Sequence, residues 1–159
     1  MCIRDRKGAE VAEITEKNMR DVLEVRKALE ELAVQLACDK ITKEEIEEMK
    51  KAAEDFKKIL KSKDITEIAE ADVRFHDIIY MATDNQKLIQ LLNNLREQMY
   101  RYRVEYLKRE EAHPQLIAEH AAIIEYISKG EKKAATDIMC KHIDNQVTTV
   151  IDVIRTKQN

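Results

Sequence analysis

Apolar residues recur every three to four positions along nearly the whole chain, and the register stops where capping and turn residues fall. Thr15 caps a first stripe of Met19, Val22, Leu23, Arg26, Leu29, Ala33, Leu36 and Ala37, which runs to about Asp39. Thr42 to Glu45 is a capping box opening a second helix, with Ile46, Met49, Ala53, Phe56 and Leu60 facing inward. Asp64 to Glu67 resembles a second box and starts a third helix, which ends near Thr83 because Asp84-Asn85 reads as a turn and a fresh cap. A fourth helix is predicted from Gln86 to Arg109 on the stripe Leu88, Leu91, Leu92, Leu95, Met99, Tyr102 and Tyr106. Pro114 suits the first turn of a fifth, which ends at Gly130, and a sixth runs from about Glu131 to Arg155. No strand pattern competes, so the expected fold is all-α: an antiparallel bundle of about six helices.

Composition agrees with that reading. Two glycines and one proline in 159 residues, with 37% charged residues, leave little material for turns or strands. The net charge of −3 is spread without a basic block, which makes this stretch a poor candidate for direct nucleic-acid binding. Cys2, Cys38 and Cys140 are odd in number and lack CxxC spacing, which points to a reduced, cytoplasmic protein. No apolar run is long enough to span a membrane. Residues 1–14 read as a linker remnant or a cloning, assembly or truncation scar, and residues 15–157 as the domain proper.

Four polar residues interrupt the stripes. Asp72 and His76, one turn apart, lie on the apolar face of the third helix with Ile65, Ile68, Ala69 and Ile79. His120 replaces a core residue in the fifth helix, and His142 does so in the sixth. His113, the remaining histidine, falls beside Pro114 and reads as a cap or surface residue. A lone histidine on an apolar face is more often a satisfied core residue than a ligand. Three imidazoles in a dry core, however, cannot easily satisfy one another, whereas a divalent cation would serve all three and neutralise the aspartate. The N₃O set suits zinc, nickel, manganese or iron. None of the three stripe histidines has a Glu three residues before it, and no His-Glu-x-x-His string occurs, so di-iron and zinc-hydrolase chemistry find no motif. Asp77 and Glu119, the nearest candidates for a general base, are expected to point away from the stripe. Arg26, in mid-stripe, is either an i,i+4 partner of Glu30 at the stripe's edge or a guanidinium holding an anion in a pocket.

These residues resemble a known family. Val25-Arg26-Lys27-Ala28-Leu29-Glu30 resembles the Val-Arg-x-x-Leu-Glu opening of the ligand-binding (FCD) domain in the FadR branch of GntR transcriptional regulators. Asp72-Val73-Arg74-Phe75-His76 is similar to its Asp-x-x-Phe-His signature, and Ala82 to Asn85 to the Ala-x-x-Asn that follows. Glu119-His120 and Lys141-His142 match its later histidine positions, so the resemblance spans about Thr15 to Arg155. It implies a bundle with a central divalent metal, zinc first among the candidates, held by Asp72, His76, His120 and His142. It also implies a small carboxylate effector, an organic or sugar acid, at or beside that metal, with Arg26, Tyr102 and Arg103 as its expected contacts. A homodimer is implied as well, with DNA reached only through an N-terminal winged helix-turn-helix that this chain lacks; Lys7 to Ala12 looks like the tail of its wing and linker. Two other readings stand beside it: a metal-stapled structural bundle, and a metal-dependent enzyme.

Overall fold

Caps delimit the helices largely where the sequence places them. In the structure, a computed structural model describing residues 14–158, Thr15 Oγ1 accepts from Asn18 N and starts α1, Glu16–Lys40. Thr42 and Glu45 form a reciprocal capping box at α2, Lys43–Ile59. Asp64 accepts from Thr66 N and Glu67 N at the head of α3, Ile65–Ala82. The segment read as a linker remnant or scar lies outside the described residues, apart from Ile14.

The predicted fourth helix is two. Asn85 caps α4, Gln86–Asn94, and α5 follows as Arg96–Leu107. At the junction Leu95 N turns back to Leu92 O at 3.1 Å, and Met99 N then bonds Leu95 O at 2.9 Å, so the helical ladder slips and resumes. Asn93 and Asn94 explain the break: both are weak helix formers, and the Asn93 side chain takes hydrogen bonds from Arg96. The apolar stripe continues through a kink of this kind, which is why periodicity alone reads one helix. Leu91, expected inward, is 50% exposed.

A short 3-10 turn at Glu110–Ala112 leads into α6, His113–Ser128, with Pro114 in its first turn. His113 Nε2 lies 2.7 Å from Leu107 O and so caps the end of α5. Gly130, at φ 69°, closes α6: its N–H reaches Ile127 O at 3.0 Å and Glu131 N reaches Tyr126 O at 2.9 Å, a Schellman pairing that requires the left-handed residue. The last helix, α7, is Lys132–Gln158.

Among the described residues there are seven α-helices and no strand. α7 packs along α1 and against α5 and α6, and α2 lies on α3 and α6. No helix of the described residues is long and apolar enough to cross a membrane. The buried side chains form two apolar regions. The larger includes Met19, Ala33, Met49, Phe75, Ile79, Ile123, Met139 and Val150; the smaller holds Phe56, Ile68, Ala69, Leu107 and Leu116. In both α3 and α6 the stripe passes from the smaller region to the larger, and at that crossing sit Asp72 with His76, and His120.

Candidate metal centre

One turn of α3 separates Asp72 from His76, and both are buried. His76 Nε2 stands 3.7 Å from Asp72 Oδ1. α6 brings His120 to the same oxygen, with Nε2 at 3.0 Å. The Phe75 ring stacks on His120 at a centroid distance of 4.1 Å, and Phe56 meets it edge-on at 4.9 Å, which fixes the imidazole plane. One donor atom from each of Asp72, His76 and His120 lies within 4.8 Å of the others.

His142, the fourth expected ligand, comes in from α7. Its ring stacks on His76 at 5.3 Å and lies 6.2 Å from His120, so it adjoins the group of three. Its Nδ1 is 3.0 Å from Glu119 Oε1, and Glu119 Oε2 accepts from Asn145 Nδ2 at 2.8 Å. Glu119 is therefore buried and aimed into the bundle, contrary to the expectation that it points outward. The signal was present: Glu119 falls three residues after Leu116 and four before Ile123, on the same stripe as His120. Asp77 does lie outside the cluster, paired with Arg96 at 2.8 Å.

The expected effector contacts fall in different places. Arg103, on α5, donates from Nε to Asp72 Oδ2 at 2.7 Å and is part of the cluster. Tyr102 is buried too, but its hydroxyl accepts from Asn18 Nδ2 at 3.3 Å, at the start of α1. Arg26 is 1% exposed and pairs with Glu30 as the i,i+4 reading expects, Nε donating to Glu30 Oε2 at 3.3 Å, but the pair is buried rather than at the stripe's edge. Arg26 Nη1 donates to Gln146 Oε1 on α7, and Tyr80 Oη donates to Glu30 Oε2 at 3.0 Å. Glu30 Oε2 is in turn 4.0 Å from His76 Nδ1, which links this network to the centre.

Burial sets the protonation of the cluster. It pushes His76 well below its ordinary value of 6.5, Asp72 opposing and Arg103 adding to the shift. His120 is lowered by burial as well, against its hydrogen bond to Asp72. Burial alone would raise Asp72, but neighbouring His76, the His120 hydrogen bond and the Arg103 guanidinium outweigh it and hold the carboxyl well below the usual range. Neutral imidazoles beside a carboxylate are the protonation states that bind a divalent cation.

The residues fit a metal. His76 Nδ1 and Nε2 and His120 Nδ1 are buried with no hydrogen-bond partner, an arrangement that costs about 1–3 kcal/mol for each group left unsatisfied. His76 Nε2 and His120 Nε2 both face Asp72 Oδ1, so a cation shared by the three would take the place of those contacts; with Nδ1 donating to Glu119, the His142 lone pair lies on Nε2. A carboxylate on the far nitrogen of a ligating imidazole is the usual means of orienting it.

A helical bundle built around buried imidazoles and carboxylates defines the class, and comparison with known proteins narrows it. The FCD domain family matches residues 21–145, so the chain belongs to that family, the one its motifs resemble. It is 26% identical over 142 residues, 89% of its length, to an uncharacterized HTH-type transcriptional regulator, YdhC, of Bacillus subtilis (strain 168), of which it spans 63%. The crystal structure of a transcriptional regulator (GntR family member) from Pseudomonas syringae pv. tomato str. DC3000 superposes with a TM-score of 0.74 at 16% identity, covering 93% of this chain and 61% of that one. That likeness bears on the fold. The all-α bundle expected from the stripes is thus found again in a solved relative.

Proposed function

We propose that this chain is the effector-sensing and dimerisation domain of a bacterial transcriptional regulator of the FadR subfamily. It holds one divalent ion, zinc first, through Asp72, His76, His120 and His142. The observation that carries the reading is the convergence of Asp72, His76 and His120 within 4.8 Å, with three of their imidazole nitrogens buried and unpartnered. A bound ion would supply positive charge and a coordination position for a small carboxylate. Arg103 holds Asp72 in place, and Arg26 offers a guanidinium to the effector's carboxylate, with Tyr102 further toward the start of α1 beside Asn18. α1 leads from residues 1–14, so a ligand that favours one packing of α1 on α7 changes how the preceding DNA-binding domains are presented. DNA is contacted through those domains, and the domain itself acts as a homodimer.

The relatives are named as regulators, which favours sensing over catalysis. The reading is tested by metal analysis of protein purified without added metal, followed by a thermal-shift screen of small carboxylates. About one ion per chain, lost in His120→Ala and His142→Ala, and a ligand-dependent rise in melting temperature are expected. A site empty in the native chain would sink the metal, and no shift across the screen would sink the sensor.

A structural staple is the second reading, and the depth of the centre favours it: Asp72, His76, His120 and His142 are all buried. Under that reading the ion raises the melting temperature and no carboxylate adds to it.

A further inference from the structure

Each ring nitrogen of His76 faces a different buried carboxylate. Nε2 stands 3.7 Å from Asp72 Oδ1, among the donors close enough to share a cation, and Nδ1 stands 4.0 Å from Glu30 Oε2. Neither nitrogen has a hydrogen-bond partner. Glu30 is fully buried on α1, a helix that supplies none of the four proposed ligands. Its carboxylate is held in place by Arg26 Nε at 3.3 Å and Tyr80 Oη at 3.0 Å, both donating to Oε2.

A neutral imidazole has one N–H and one lone pair, so ligation by one nitrogen puts the proton on the other. Ligation through Nδ1 would turn His76 away from Asp72 and His120, since Nε2 is the atom facing the oxygen that those two share. Ligation through Nε2 leaves the proton on Nδ1, where it meets Glu30. His142 already shows the finished form of this arrangement, its Nδ1 lying 3.0 Å from Glu119 Oε1. At His76 the separation is about 1 Å longer than an N–H···O hydrogen bond, a gap that a small rotation of either side chain closes. We infer that Glu30 is a positioning residue for His76: its carboxylate accepts from Nδ1–H and so fixes Nε2 as the nitrogen turned toward Asp72 and His120. This rests on the metal reading above and extends it to a helix outside the ligand set. Arg26 joins the same carboxylate to Gln146, so occupancy of the centre bears on the packing of α1 against α7.

The test is heteronuclear NMR of zinc-loaded protein with isotope-labelled histidine, the His76 ring being assigned through its own backbone. His76 is expected as the Nδ1–H tautomer, with the N–H proton shifted downfield by a carboxylate acceptor. Ligation through Nδ1, or an Nδ1–H without that shift, would overturn the inference and leave the metal in place. In Glu30→Gln the proton should move upfield, and zinc affinity by chelator competition should fall about 10- to 100-fold. Tyr80→Phe takes a donor from the same oxygen but keeps the carboxylate, so it should leave zinc affinity unchanged. An equal loss in both variants would mean that Glu30 acts only as part of the buried network, and would also overturn the inference. The tautomer is read on the native protein, so that arm stands even if Glu30→Gln fails to fold. Native protein that takes up no zinc would remove the metal reading itself, and the role of Glu30 with it.

Discussion

Glu119 Oε1 lies 3.0 Å from His142 Nδ1, joining a buried carboxylate on α6 to a buried imidazole on α7. The contact does two things at once. It satisfies a charge that would otherwise be stranded in the core, and it turns the other nitrogen of His142 away from Glu119. Asn145 holds the second oxygen, so the carboxylate cannot swing free.

The first prediction follows from that contact. Glu119→Gln keeps the shape of the side chain but weakens its grip on the imidazole, and should lower metal affinity about 10- to 100-fold without emptying the site at saturating metal. Competition titration with a metallochromic chelator measures it. Affinity equal to that of the native chain would mean His142 is not a ligand.

Removing Arg26 should be costly beyond any loss of effector. Arg26→Ala leaves Glu30, which is fully buried, with Tyr80 as its one remaining donor, and about 3–5 kcal/mol of destabilisation is expected from the uncompensated charge. The double variant Arg26→Met, Glu30→Met should recover part of that loss, since an apolar pair of similar volume replaces the ions while Tyr80 and Gln146 lose their partners. Urea unfolding of the metal-free proteins gives both numbers. A loss below about 1 kcal/mol in the single variant would be the behaviour of an exposed pair instead.

The metal-free protein should lose stability on the acid side. His76 and His120 are held below 6.5 in the folded chain by burial, whereas in the unfolded chain they protonate near that value. Between the two values the unfolded state binds more protons, so stability is complete above about pH 6.5 and falls as the pH drops below it. Asp72, held low in the folded state, adds a second loss that begins below its ordinary value of 3.8. Denaturation series from pH 7.5 to 4.5 should show the decline, and His76→Gln should flatten its upper part. Stability that rose on acidification through this window would contradict the sign.

Cys140 should be a poor nucleophile despite partial exposure. Its thiol donates to Glu31 Oε1 at 2.9 Å, and burial together with that carboxylate pushes its pKa up to about 12. Alkylation by iodoacetamide at pH 8 should run orders of magnitude more slowly than for an ordinary cysteine, and Glu31→Gln should speed it. Peptide mass spectrometry after timed quenching resolves the site; labelling of Cys140 at the ordinary rate is the adverse result.

Which parts of this were legible in the sequence follows a physical line. Local signals read correctly: Thr42 with Glu45, Asp64, Asn85 and Gly130 each terminate an element by bonds to residues two to five positions away. His76, His120 and His142 were visible because each replaces an apolar residue in an otherwise regular stripe. Glu119 and Glu30 lie on stripes too, yet a carboxylate there is assigned to solvent by default, since burying it alone is prohibitive. What makes burial tolerable is a partner on another helix, His142 for one and Tyr80 for the other, and pairing across 23 or 50 residues has no signature in a single sequence. The break at Leu95 was hidden for the opposite reason. The ladder slips by one bond while the stripe of Leu92, Met99 and Tyr106 keeps its phase, and periodicity reports the stripe, not the ladder.

The division of the interior into two apolar regions gives the centre a mechanical reach larger than its own size. The smaller region, with Phe56 from α2, Ile68 from α3 and Leu116 from α6, meets the larger one across Asp72, His76 and His120. Loosening that polar seam weakens the junction between the regions before it weakens either one. Backbone amides of α2 contribute no donor to the centre, yet their exchange with solvent should slow when the seam is tightened. A helix that contributes no polar group to the centre thereby becomes its reporter.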